Sequence, residues 1–358
     1  MRKREYSLDV IKIVATLCII FHHYQIYTRT HFDSGVNFNG GIFNFGYLVE
    51  LFFVLSGYFT FKYISEIDNG LPFKEFFVQK YLRFTVPLSI SCLAFSLLAI
   101  LYNALYGELF FNHGVTIWGL IVSSLGMSAG WGLGSYNING VIWYISVLLI
   151  CYMVFYFTTW ISTRLKINNI WGYLLLIILG IGIKTYEVNF SFINQFTARG
   201  YTAFFTGILL AQLLCKYQLR AKGYAISAFI LIVIPLLLYQ FKSSYMSVGV
   251  DYIFTFLFYP ALIIIFKSNM VNKLTNFVWI GKLGKISFEA YLWHFVVILG
   301  FHDVIGLLNL KIEFANRTLM GLVAISSYII GTIVFYLVEI PSERYIKRKL
   351  GGGKASKK

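Results

Sequence analysis

Asp9-Val-Ile-Lys-Ile-Val-Ala-Thr-Leu-Cys-Ile-Ile-Phe-His-His23 is an apolar stretch that carries an acid, a base and two imidazoles. On a helix, at about 100° per residue, the Lys12 and His23 side chains come within about 20° of each other. Thr16 and Asp9 lie within about 40° of that line, and His22 points about 80° away. A charge near the bilayer centre costs at least about 2.5–3.5 kcal/mol on insertion scales, so such a stripe normally faces a cavity or polar partners. The alternative is that Asp9 and Lys12 snorkel to the headgroups while His23 makes one structural hydrogen bond. Both readings take the segment as a membrane helix.

The rest of the chain has the same character. Of 358 residues, 58% are hydrophobic and 13% charged, and the mean hydropathy of +0.71 is too high for a soluble globular protein. The expected fold is all-α, a polytopic membrane helix bundle, with residues 1–345 forming one membrane domain and 346–358 a basic, disordered cytoplasmic tail. Cys18, Cys92, Cys151 and Cys215 fall inside apolar segments without metal-ligand spacing, so they read as packing residues and no metal is expected. A net charge of +15 would suit nucleic acid, but the cations punctuate apolar runs instead of forming a soluble patch, so no nucleic-acid partner is expected. The basic start followed by an apolar run mimics a signal peptide. Asp9 and Lys12 interrupt the run, however, and His22-His23-Tyr24 stands where small residues would mark cleavage, so it reads as a retained first helix.

About ten spans fit, at 8–27, 46–64, 83–106, 141–162, 170–186, 199–215, 222–240, 250–267, 286–303 and 316–341. With a cytoplasmic N-terminus, 23 Lys and Arg fall in inner segments and six in outer ones, with Lys12 inside the first helix. Both termini are therefore expected on the cytoplasmic side. The long outer connection 107–140 contains Trp118-Gly-Leu-Ile-Val-Ser-Ser-Leu-Gly-Met127, too short to span and expected to be interfacial or re-entrant, followed by an irregular Gly/Asn-rich loop.

Depth then sorts the polar groups. His23 and Glu50 each lie about four residues from the outer end of their spans, whereas Asp9, Lys12, Lys80, Arg83, Glu289 and Glu339 lie near the inner face and His294 near mid-membrane. A carboxylate beside an imidazole fixes the tautomer and stabilises the imidazolium formed when a hydroxyl proton is taken, so His23 with Glu50 is a candidate general base. The alternatives are a structural hydrogen bond between two helices, or two residues that never meet. Lys80 and Arg83 at i, i+3 could hold the phosphates of a cytosolic donor together with Lys12, or could anchor the protein to anionic lipid. His294 is as readily a buried structural residue as a functional one, and His31, His113 and His302 read as outer-loop or interface residues.

Five segments, in order, resemble the acyltransferase type 3 membrane proteins, which move acyl groups, mostly acetyl, onto bacterial surface carbohydrates. Lys12 and His23 stand where that family has Arg, ten residues, His. Val49-Glu-Leu-Phe-Phe-Val-Leu-Ser-Gly-Tyr-Phe59 is similar to its most recognisable string, with Glu50, Ser56 and Gly57. Lys80-x-x-Arg83 with Pro87 resembles its paired-arginine motif, Tyr291-Leu-Trp-His294 its ninth-helix motif, and Glu339-Ile-Pro-Ser-Glu-Arg344 its closing segment. Lysine at positions 12 and 80 keeps the charge but loses the planar fork that holds phosphate bidentately. Trp143-Tyr-Ile-Ser146 resembles the fourth-helix motif, although the glutamate many members carry beyond it is replaced by aliphatics. No esterase-like domain follows the closing segment, so an acyl relay to one is expected to need another chain.

The resemblance implies an acyl-coenzyme A donor, acetyl-coenzyme A in the commonest case, bound from the cytoplasm by Lys12, Lys80, Arg83 and His294. It implies a surface or exported carbohydrate acceptor met by Trp143, Tyr144 and Ser146, with His23 as general base or acyl acceptor assisted by Glu50. It places the chain in the bacterial inner membrane, in contact with lipid and with envelope polysaccharide machinery. Arg29 and Arg199 are candidates for a second carboxylate if the acyl group is succinyl. The competing readings are a transporter that exports a glycan or acyl ester through the same polar cavity, and a non-catalytic subunit of an envelope assembly.

Overall fold

Large apolar side chains stand exposed along most helices, and this inverted surface sets the architecture. Leu93, Leu97 and Ile100 on one helix, and Phe229, Ile232 and Leu236 on another, are each more than half exposed. In water such a belt would drive association; in lipid it is the solvent-facing side. The computed structural model describes residues 6–41, 43–111, 114–134, 137–217, 219–240 and 249–351. The cations at positions 2–4, His113, Lys242 and the segment 352–358 lie outside the described residues.

The chain runs through α1 (Ser7–Tyr27), a tight helical turn (Phe45–Tyr47) leading into α2 (Leu48–Thr60), a short α3 (Tyr63–Asp68), α4 (Phe73–Tyr106), α5 (Ile117–Ser124), α6 (Ile142–Leu165), α7 (Asn169–Thr185), α8 (Gln195–Lys216) and α9 (Ala221–Gln240). Next, α10 (Val250–Ile253) continues through a wide π turn (Phe254–Phe258) into α11 (Tyr259–Phe266). The series closes with α12 (Asn269–Leu274), α13 (Val278–Leu307), α14 (Arg317–Val334), a second π turn (Phe335–Glu339) and α15 (Ile340–Gly351).

Among the described residues, seven helices are long and apolar enough to cross a membrane, and the chain is a multi-pass, all-α membrane protein. The other three of the ten expected spans coincide with shorter apolar helices, Phe45–Thr60, Asn169–Thr185 and Val250–Phe266. The 13 residues of α2 rise only about 20 Å, less than a full hydrocarbon core. Two boundaries differ from the sequence reading: α4 begins at Phe73 and α13 at Val278, well before 83 and 286. Hydropathy marks only the apolar part of a helix, whereas these two continue toward the polar side with lysines on one flank and rings on the other. Helix α15 likewise enters the segment expected as a tail, reaching Gly351.

The connection between α4 and α6 carries the short helix α5, which has one exposed and one buried face. Ile117 and Trp118 on α5 are exposed while Gly119, Val122 and Ser123 are buried. Beyond it Gly130 and Gly132 take left-handed backbone, with φ of 85° and 77°, where a side chain would be strained. Asn139 pins the loop to the bundle by donating to the Leu292 carbonyl at 3.0 Å.

α6 and α13 are the most enclosed of the long helices and α9 the least, with only 11% of its apolar window buried. Helix α13 packs against α1, α4 and α14, whereas α2 lies along α8. The second contact is a backbone crossing: a Cβ built on Gly57 would overlap the Phe204 carbonyl oxygen, and one built on Gly207 would overlap that of Val54. These two pairings decide which side chains meet.

Candidate active site

Helix α2 toward its C-terminal end, residues 79–84 of α4, and facing parts of α6 and α13 enclose a cavity of about 720 Å³. Lys12, Lys62, Lys80, Arg83 and Lys285 stand on its wall beside a single carboxylate, Glu343. The structure thus brings together Lys12, Lys80 and Arg83, as the sequence reading expected. It adds Lys62 and Lys285, which that reading counted only as inner-face charges. A signal was present for Lys285: Lys285, Phe288, Tyr291 and His294 recur every three residues, on one slowly turning face of α13.

Three of the cations are held in place. Arg83 Nε donates to Oε1 of the buried Glu339 at 3.0 Å, and Glu339 belongs to the second π turn. Lys12 Nζ lies 3.0 Å from Asp9 Oδ1 and 4.8 Å from the Phe59 ring centre. Lys80 Nζ sits between Tyr63 and Tyr152, at 4.7 and 5.1 Å from their ring centres. Asp9 and Glu339 offset Lys12 and Arg83, but ring faces orient the Lys80 ammonium without cancelling its charge, at about 0.5–2 kcal/mol each. With Lys62 and Lys285 the cations still outnumber the carboxylates Asp9, Glu339 and Glu343, a positive balance that suits phosphate groups. Buried Glu289 of α13 stands next to Glu339, forming an acid pair.

At the deep end of the cavity three rings from three helices meet. The ring centres of Phe52 and Tyr144 are 6.3 Å apart, Phe52 and Tyr291 6.0 Å, and Tyr144 and Tyr291 5.7 Å. The Tyr144 hydroxyl is 3.1 Å from Ser56 Oγ, and Tyr291 donates to the Val141 carbonyl at 3.1 Å.

Beyond Tyr291 stands the pair of imidazoles. His23 Nδ1 lies 2.9 Å from His294 Nε2, and His294 Nδ1 lies 2.5 Å from the Tyr291 carbonyl oxygen. His294 is fully buried and His23 only partly so. This corrects two expectations. The partner of His23 is His294, not Glu50, and His294 stands beside His23 instead of on the wall of the basic cavity. Glu50 is ion-paired to Arg199 of α8, whose guanidinium lies 4.4 Å from the Trp143 ring centre. Depth placed His23 and Glu50 at one height, but azimuth separates them. Crossing at Gly57 and Gly207 turns Glu50 toward α8, while the packing of α1 on α13 turns His23 toward His294.

The fourth-helix residues divide. Tyr144 lines the cavity; Trp143 packs under Arg199; Ser146 is fully buried, its hydroxyl 3.0 Å from Ser128 Oγ and its carbonyl accepting from Trp131 Nε1. Ser146 therefore anchors the outer loop and faces no cavity, contrary to the substrate-binding role expected of it. Arg199 is neutralised by Glu50, which leaves it poorly suited to a second carboxylate. His22 Nδ1 is 2.9 Å from the Phe38 carbonyl oxygen, and the His302 ring stacks on Phe314 at 4.1 Å, so both have structural partners.

The arrangement offers a cationic cavity for a phosphorylated donor, a ring floor, and an imidazole of defined tautomer behind it. Neither a curated protein nor a solved structure matches the chain. A family profile described as an acyltransferase domain does match, over residues 5–338, which takes in the first helix, the five cavity cations and the paired imidazoles, and the chain belongs to the acyltransferase 3 family.

Proposed function

We propose that this membrane acyltransferase moves an acyl group, acetyl in the simplest case, from cytoplasmic acyl-coenzyme A to a hydroxyl of a surface or exported saccharide. In this reading both termini lie on the cytoplasmic side of a bacterial inner membrane, and the acceptor arrives from the outer side through envelope polysaccharide machinery. The observation that carries the reading is the hydrogen-bond order through the two imidazoles. A carbonyl oxygen only accepts, so the His294 nitrogen facing Tyr291, Nδ1, bears the proton. In the neutral ring Nε2 then holds a lone pair, and His23 Nδ1, 2.9 Å away, is the donor. His23 is left with its lone pair on Nε2, the form that takes a proton.

His294 here does what a carboxylate does beside other catalytic imidazoles. It fixes the tautomer of His23 and keeps accepting its Nδ1 proton while the imidazolium exists. The acceptor hydroxyl gives its proton to His23 Nε2 as its oxygen attacks the thioester carbonyl carbon. The C–S bond breaks, and the departing coenzyme A thiolate takes up the proton. Lys12, Lys62, Lys80, Arg83 and Lys285 would meet the phosphates at the cavity mouth, so that only the thioester arm enters the membrane.

The test is transfer of labelled acetyl from acetyl-coenzyme A to a glycan acceptor by the purified protein. Wild type transfers label, and His23→Ala loses at least about 100-fold, the usual worth of a positioned base. Absence of transfer by the wild type, or an unchanged rate in His23→Ala, overturns the reading.

A further inference from the structure

We infer that Phe52, Tyr144 and Tyr291 form an acyl-length gauge, a ring floor that admits short acyl groups from the donor cavity to His23 and turns longer ones away. The inference rests on the acyltransfer reading above. All three rings line the 720 Å³ cavity, whereas neither His23 nor His294 does. The Tyr291 ring centre is 5.7 Å from that of His294, so the floor is also the near wall of the imidazole pair. An acyl group carried up the cavity lies against these rings when its carbonyl carbon meets a hydroxyl held at His23.

The spacing sets how much can pass. Three rings with centres 5.7–6.3 Å apart pack against one another, so an acyl group lodged on them has only the volume that a ring yields. Two of them are tethered by hydrogen bonds, Tyr144 to Ser56 and Tyr291 to the Val141 carbonyl. Phe52 carries no polar group and is only partly buried, so it is the ring that gives way. Each methylene beyond acetyl requires a larger displacement of Phe52 against the tethered pair. Selection therefore falls on chain length and not on charge.

The experiment compares kcat/KM for acetyl-, butyryl- and hexanoyl-coenzyme A in wild type, Phe52→Ala and Phe52→Trp, with the glycan acceptor held constant and folding checked by gel filtration in detergent. Wild type is expected to favour acetyl. Phe52→Ala is expected to raise the butyryl-to-acetyl ratio by at least about tenfold, the scale on which an apolar pocket discriminates methylenes, and Phe52→Trp to lower it. Should Phe52→Ala fail to fold, Phe52→Leu carries the same expectation. A ratio that moves by less than about twofold in both directions, while wild type remains active, overturns the gauge and leaves the acyltransfer reading standing. Wild type inert toward every donor overturns both.

Discussion

The imidazoles of His23 and His294 lie nearly parallel, 13° between planes, with Nδ1 of the first 2.9 Å from Nε2 of the second. That geometry makes His294 a positioning residue for His23. His294→Phe keeps the ring volume and removes the acceptor, so kcat is expected to fall about 100-fold while KM for acyl-coenzyme A stays within about twofold. Steady-state kinetics separate this from donor binding, which would raise KM instead, and ¹⁵N NMR of the His23 ring would lose its Nδ1–H tautomer.

Because His23 acts through a lone pair, protonation at Nε2 silences it. The transfer rate is expected to fall as pH drops, and the acid limb of the kcat profile is expected to shift in His294→Gln, which offers an amide oxygen in place of the imidazole nitrogen. A profile superimposable on that of wild type would remove His294 from the relay.

The cavity cations should govern donor affinity. A charge-assisted contact to phosphate is worth about 1.5–3 kcal/mol, so Arg83→Ala, Lys62→Ala and Lys285→Ala should each raise KM for acetyl-coenzyme A by about tenfold or more. The effect should shrink with added salt. Arg83→Ala carries a second cost, because it strands the Glu339 carboxylate, and is expected to lower the melting temperature in detergent as well.

Glu50 and Arg199 form an ion pair with Glu50 buried between α2 and α8. Arg199→Met is expected to destabilise the protein by about 3 kcal/mol by leaving a buried carboxylate uncompensated, whereas the double variant Glu50→Gln/Arg199→Met recovers much of the loss. Thermal unfolding in detergent of the four proteins in the cycle measures the coupling.

The backbone crossing predicts its own failure mode. Gly207→Ala places a methyl group on the Val54 carbonyl, so α2 and α8 must separate. A loss of about 1–3 kcal/mol in stability is expected, with transfer activity reduced because Glu50, Phe52 and Ser56 move with α2.

Much of this was legible in the sequence, and the part that was not has one cause. Apolar runs located the helices because lipid imposes a length and a composition, and the charge bias placed Lys12, Lys80 and Arg83 at one depth, where they share a cavity wall. Which way a residue faces around its helix depends on the neighbour it packs against, and spacing within one segment does not encode that. Glu50 was therefore paired with His23 by height alone, although Gly57, seven residues on, had already committed α2 to α8. The motif resemblance attaches His294 to the donor, and only the packing of α1 on α13 sets it beside His23. Ser146 has the right residue type in a recognisable motif, yet its burial against Ser128 depends on the path of an irregular loop.

The shortness of α2 has a consequence for distance. Ser56 on the cavity wall and Glu50 beside Arg199 are six residues apart on one helix, about 9 Å along its axis. Ordinary hydrocarbon is about 30 Å thick, so the cavity wall and the buried ion pair stand within about a third of that depth of each other. One short rigid rod therefore ties the two levels together, and a tilt of α2 against α8 displaces the cavity wall and the ion pair in a single motion.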